Sequence, residues 1–104
     1  MEVSILDRGA GIDEGVRDQI ARRLEFAFGR FRRRVERVVV TLEDLNGPRG
    51  GRDQFCRIVA HLRPSGVLVA GQADSHVGAA VDRVAQVLSY RIARRLGRWR
   101  GART

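Results

Sequence analysis

Apolar residues along this chain switch between two spacings, one of two residues and one of three to four, and the switches mark out its elements. Val3 to Leu6 form a short β-type run, closed by the turn-prone Asp7-Arg8-Gly9-Ala10-Gly11. Asp13 is then placed to cap a helix, with Glu14 favourable in its first turn. Val16, Ile20, Leu24, Ala27 and Phe31 recur as one face of that helix, which the spacing ends near Arg32. The next run alternates, Val38, Val40 and Leu42 opposite Val39, Thr41 and Glu43, as in a half-buried strand. Asn46-Gly47-Pro48-Arg49-Gly50-Gly51 is a turn by composition. A second alternating strand sets Cys56, Ile58, Ala60 and Leu62 against Phe55, Arg57, Val59 and His61. Pro64-Ser65-Gly66 turns the chain into a third run, Val67 to Ala73. Asp74 or Ser75 can cap a last helix, whose apolar stripe is Val77, Val81, Val84, Leu88, Ile92 and Trp99.

The order is therefore β-α-β-β-β-α, of the α+β class. Two strands joined through a helix are expected to pair in parallel, with a right-handed crossover, and the last three strands to form an antiparallel meander. Each helix has one apolar stripe and each strand one consistently apolar face. The economical packing is a four-stranded mixed sheet with both helices on one face. With 104 residues there is room for one core and not two. No repeat or linker divides the chain, so a single domain over 1–104 is expected.

Composition narrows the class. The 43% apolar fraction is that of a globular chain. No apolar run approaches the roughly 18 to 20 residues needed to span a bilayer. Met1-Glu2-Val3-Ser4-Ile5 lacks the basic and then apolar layout of a signal peptide. A lone cysteine, Cys56, fits a reducing compartment. The expectation is a soluble, cytoplasmic protein without a membrane partner.

Charge changes the picture most. All 20 basic residues are arginine, against 12 acidic ones, for a net charge of +8. A GC-rich coding bias also removes lysine, but the consequence is the same: each cation is a planar fork able to grip phosphate and stack on bases. Most of the arginines lie on or just beyond the two helices. From Ser75 onward seven arginines stand against one acid, Asp82. Outward helix faces do carry solvating charge, yet a nearly acid-free helix fits an anionic partner better. At about 100° per residue, Tyr90 falls opposite the last helix's apolar stripe, beside Arg83 and Arg94. Phe26 lies off the first stripe, near Arg22, Arg23 and Arg30. Either aromatic suits base or sugar stacking. For Phe26, packing against the neighbouring helix is the preferred reading; for Tyr90 the two readings stay open. Helices side by side would merge into one basic surface, with binding driven by charge and shape and sensitive to salt.

Catalytic chemistry is not indicated. Cys56 and His61 sit an odd number of residues apart on one strand, so they face opposite sides, and His76 stands near a helix start. One cysteine and two histidines do not make metal-ligand spacing. Cys56 reads as a core residue. The Gly47 to Gly51 turn lacks the Lys-Ser/Thr of a phosphate loop and opens no helix; Arg49 and Arg52 are possible nucleic-acid backbone contacts there. No enzyme activity, metal, cofactor or small-molecule substrate is expected.

Several stretches resemble the ribosome hibernation-promoting factors, also called ribosome-associated inhibitor or sigma-54 modulation proteins. They are Val16-Arg17-Asp18-Gln19-Ile20-Ala21-Arg22-Arg23-Leu24 and Ala79-Ala80-Val81-Asp82-Arg83-Val84. Leu45-Asn46-Gly47-Pro48-Arg49-Gly50-Gly51 with Cys56-Arg57-Ile58 looks like one proteobacterial branch of that family. The resemblance implies a fold related to double-stranded RNA-binding domains. It also implies binding to the small ribosomal subunit and its rRNA in the messenger and transfer RNA channel, which blocks translation under stress. The RNA contacts would fall to Arg22, Arg23 and Arg30 on the first helix, and to Arg83, Arg91, Arg94 and Arg98 on the second, with Tyr90 beside them. A short form is implied, without the C-terminal domain through which long members pair ribosomes. Gly78 stands where many members carry an aromatic, which removes a contact, and Gln54-Phe55 where basic residues are common. Two other readings remain. One is a general double-stranded nucleic-acid binder. The other is a protein-interaction module, in which Val39, Phe55 and Val59 on the uncovered sheet face pair with a partner or a second copy. On any reading the expected state is a monomer, with weak dimerisation through that face. An RNA-recognition-motif reading fits less well, because its element order differs.

Overall fold

Side chains two apart on a strand share a face, and here the apolar set of every strand faces the same way. In a computed structural model, which describes residues 1–45 and 54–103 with side chains as far as residue 97, this places both helices on one side of one sheet. Strand β1 (Glu2–Arg8) leads through α1 (Glu14–Phe28) and a 3-10 turn (Gly29–Phe31) to β2 (Val35–Asp44). Then come β3 (Gln54–Leu62), β4 (Val67–Asp74) and α2 (Val77–Arg103). The sheet order is β1-β2-β3-β4, with β1 and β2 parallel and the other pairs antiparallel. The expected architecture is present.

Local chemistry sets the boundaries. The Asp7 carboxylate accepts from the backbone N–H of Ala10 (2.8 Å), Gly11 (3.2 Å) and Ile12 (2.9 Å). The turn so held runs through Gly9 and Gly11 at φ of 92° and 69°, a region open to glycine. Asp13 Oδ1 accepts from the Val16 N–H at 2.8 Å, the cap expected of it. The first helix is shorter than its stripe suggested. It stops at Phe28, where Gly29, a weak helix former, lets the chain tighten into the 3-10 turn that still buries Phe31. Phe28, absent from the predicted stripe, is fully buried.

At the other helix the cap expected at Asp74 or Ser75 falls too early. The helix begins at Val77, and the His76 carbonyl accepts from the Ala80 N–H at 3.0 Å. The Asp74 carboxylate instead holds the Ser75 N–H at 2.7 Å. That hydrogen bond, ahead of the opposing cost of desolvation, holds its pKa below the usual carboxylate range, and Arg83 adds to the effect.

The core is a single layer. Val38, Val40 and Leu42 of β2 with Cys56, Ile58 and Ala60 of β3 face Leu24, Phe28, Val84, Leu88 and Ile92, all essentially without exposure. Each large side chain among them stabilises the fold by about 1.5–3 kcal/mol relative to exposure. Among the described residues no helix covers the opposite sheet face. Its centre is nonetheless half-shielded: Thr41 is buried, and Val39, Phe55 and Val59 are partly so. Phe55 lies across Gly71 of β4, where a Cβ would come within 2.8 Å of the ring. The most exposed apolar residues of that face are Leu6, Val67 and Val69. The turn at 46–51, with Arg49 and Arg52, lies outside the described residues, as does the side chain of Trp99. Among the described residues no helix is long and apolar enough to cross a membrane.

Burial pushes the Cys56 thiol up to about 12. At neutral pH it is protonated in both folded and unfolded chains and contributes no pH dependence. As pH rises toward 12 the unfolded chain ionises first, so stability falls over that window. The native protein should therefore resist a thiol reagent at mildly alkaline pH and react fully in urea; rapid labelling of the native chain would contradict the burial of this strand.

Candidate nucleic-acid interface

The two helices lie against each other. The Ser89 hydroxyl donates to the Ala27 carbonyl at 3.0 Å, inside the contact. Nearer the start of α2, Arg23 Nη1 donates both to the Gly78 carbonyl and to Asp82 Oδ2, each at 3.0 Å. A Cβ on Gly78 would stand 2.9 Å from that nitrogen. Gly78 thus leaves the space in which Arg23 crosses from one helix to the other.

The predicted RNA-contacting arginines are distributed over this helix pair in different states. Arg22 is exposed and has no ion pair among the described residues. Arg30 is exposed, its guanidinium 4.6 Å from the Phe31 ring centroid. Arg94 is exposed, 5.8 Å from the centre of the Tyr90 ring. Arg23 and Arg83 are engaged, the latter with Asp74 at 3.2 Å. Arg91 Nη1 donates to the Val69 carbonyl at 2.9 Å, on the outer edge of β4. The Arg98 side chain lies outside the described residues.

Sequence reasoning missed the clamps. Arg17 Nη1 donates to the Ile5 carbonyl at 2.8 Å, so each edge strand carries an arginine from the adjacent helix. Such blocking discourages pairing with another chain. Partners this far apart in sequence leave no periodic signal; a lone acid such as Asp82 in an arginine-rich helix was the available clue.

The aromatics resolve differently. Phe26 does not pack against the neighbouring helix, as preferred from the sequence. It is 92% exposed, because Ala27 and Ser89 hold the helix contact and turn position 26 outward. Tyr90 is 63% exposed. With Leu68, Gln86, Val87, Arg91 and Arg94 it lines an open groove of about 680 Å³ between α2 and the edge of β4.

Cys56 lies in the core and His61 on the opposite sheet face. Among the described residues no group of three or more His, Cys, Asp or Glu is placed to hold a metal ion. The arrangement offers guanidinium groups and stacking surfaces rather than a nucleophile with its base.

Among solved structures, the chain is similar to the N-terminal domain of Protein Y from Thermus thermophilus. The TM-score is 0.71 with 23% identity, over 90% of this chain and 98% of that one. It has the same fold. A ribosomal subunit interface protein from Coxiella burnetii matches with a TM-score of 0.75 and 13% identity, over 93% of this chain and 99% of that one. No family model matches the sequence, and no curated protein is significantly similar to it. The fold expected from the sequence resemblance is thus found in two proteins of low sequence identity to this chain.

The Arg23–Asp82 pair is 42% and 61% exposed at its two side chains. Asp82→Asn should therefore cost no more than about 1 kcal/mol in urea unfolding, and less in high salt. A loss of several kcal/mol would make the pair a structural clamp on the helix contact.

Proposed function

We propose that this chain binds rRNA of the small ribosomal subunit and inhibits translation by occupying the messenger and transfer RNA channel, as hibernation factors do. The observation that carries the reading is the outer face of the helix pair. It carries Arg22, Arg30, Arg83, Arg91 and Arg94, all exposed, and the exposed aromatics Phe26 and Tyr90, on a fold similar to that of a ribosomal subunit interface protein. Arg23 and Arg98 join the proposed set, Arg23 once RNA competes for it with Asp82. Action is by steric occlusion in the cytoplasm, without catalysis, metal or cofactor.

Physical chemistry supports this mode of binding. Guanidinium groups on rigid helices meet phosphates at fixed spacing, which favours a shaped RNA surface over base sequence. Bound cations release counterions, so affinity falls as salt rises. A second reading draws on the open sheet face, where Leu6, Val67 and Val69 are exposed at 45%, 52% and 47%. A protein partner or second copy on that face would bind in a manner insensitive to salt.

Co-sedimentation with purified small subunits across a salt series, with duplex RNA as competitor, separates the readings. The expected result is saturable one-to-one binding that weakens with salt and resists the duplex. Arg22→Ala with Arg94→Ala should weaken it at least tenfold and reduce the salt slope by about 2, without unfolding the domain. Arg91 is left intact here because it also ties down the β4 edge. Full displacement by duplex would favour a general double-stranded nucleic-acid binder, and salt-resistant dimerisation without ribosome binding would favour the sheet face.

A further inference from the structure

We infer that the groove between α2 and the β4 edge takes one unpaired nucleotide of an RNA strand, its base stacked on Tyr90 and its phosphate held by Arg94 and Arg91. This deepens the RNA-binding reading above and rests on it.

The groove has the mixed chemistry of a nucleotide site. Leu68 and Val87 supply apolar walls, and Tyr90, a residue 63% exposed, an aromatic ring. Gln86, Tyr90 and Arg94 are four residues apart, so they form one column along the helix. The Gln86 amide carries both a donor and an acceptor for a base edge. At the other end Arg94 lies 5.8 Å from the ring centre, close enough to reach the phosphate of a base stacked there. Arg91 has one nitrogen bonded to Val69, which fixes its guanidinium at the groove wall and leaves further N–H groups for an anion. The volume, about 680 Å³, is ample for a nucleotide and lies within the range of small-ligand sites.

Two other occupants fit less well. A base inside an A-form duplex is paired and stacked within a deep, narrow groove, so its face cannot lie on Tyr90. A peptide adding a strand to β4 needs the free carbonyls of that edge, and Arg91 already occupies the one at Val69. An unpaired base needs neither.

The test compares fluorescence anisotropy of a labelled single-stranded oligoadenylate with that of a duplex RNA of equal length. The proteins are the parent chain, Tyr90→Ala and Tyr90→Phe. Tyr90 is exposed, so both variants should melt with the parent, which a thermal scan verifies. The expected result is parent preference for the single strand and a loss of about 5- to 100-fold on Tyr90→Ala. Tyr90→Phe should retain binding, and duplex affinity should be the same in all three. Equal single-strand affinity of Tyr90→Ala and parent overturns the groove assignment while leaving ribosome binding standing. Equal or better parent binding to duplex overturns it as well. If the parent binds neither these RNAs nor small subunits, the reading on which the groove rests fails with it.

Discussion

Everything on the outer surface follows from the single apolar layer between the helices and the sheet. Val38, Val40 and Leu42 alternate on β2, and Cys56, Ile58 and Ala60 on β3, so one sheet face is apolar and must be covered. Each helix has a single apolar stripe, enough to cover that face and nothing else. Both helices are drawn to the same side and against each other. Their remaining surface has only solvent, or a partner, to face. Arginines placed there are gathered onto one side of the molecule without any need for contacts among them.

Gathering positive charge is costly to the fold, since like charges on one face repel. The chain offsets part of this by giving several guanidinium groups structural partners. Arg17 and Arg91 bond to carbonyls at opposite edges of the sheet, and Arg23 bridges α1 to Gly78 and Asp82 on α2. Arg22, Arg30 and Arg94 are exposed, pair with no carboxylate among the described residues and remain available to an anionic ligand. One residue type thus serves two purposes: some guanidinium groups close sheet edges and join helices, and others stay exposed on the helices, where RNA binding is proposed. Gly78 belongs to the first purpose, because a Cβ there would stand 2.9 Å from Arg23 Nη1 and displace that guanidinium from its bridge.

Much of this was legible in the sequence, for a definite reason. Alternation over Val38–Leu42 and Cys56–Leu62 identifies strands and their inward faces because the side-chain period of a strand is fixed at two. The helical stripes do the same at a period near 3.6. Asp13 was legible as a cap because capping is local. What could not be read depends on partners distant in sequence. The helix contact through Ala27 and Ser89 decides that Phe26 faces solvent, and no pattern within one helix shows where the other lies. The edge bonds of Arg17 and Arg91 are of the same kind. Boundaries were also less legible: Gly29 ends α1 before its apolar stripe does, and α2 starts after the residues best suited to cap it. The groove beside β4 emerges only when a helix face and a sheet edge are brought together.

The account stands on which face meets RNA. The most direct measurement is arginine modification by phenylglyoxal, read by mass spectrometry, with and without saturating small ribosomal subunits. Arg22, Arg30 and Arg94 on the helix pair should become protected. Arg57 on the open sheet face and Arg63 in the β3–β4 turn, both exposed, should react as before. Protection of Arg57 with unchanged reactivity of Arg22 and Arg94 would contradict the account and move the binding face to the other side of the sheet.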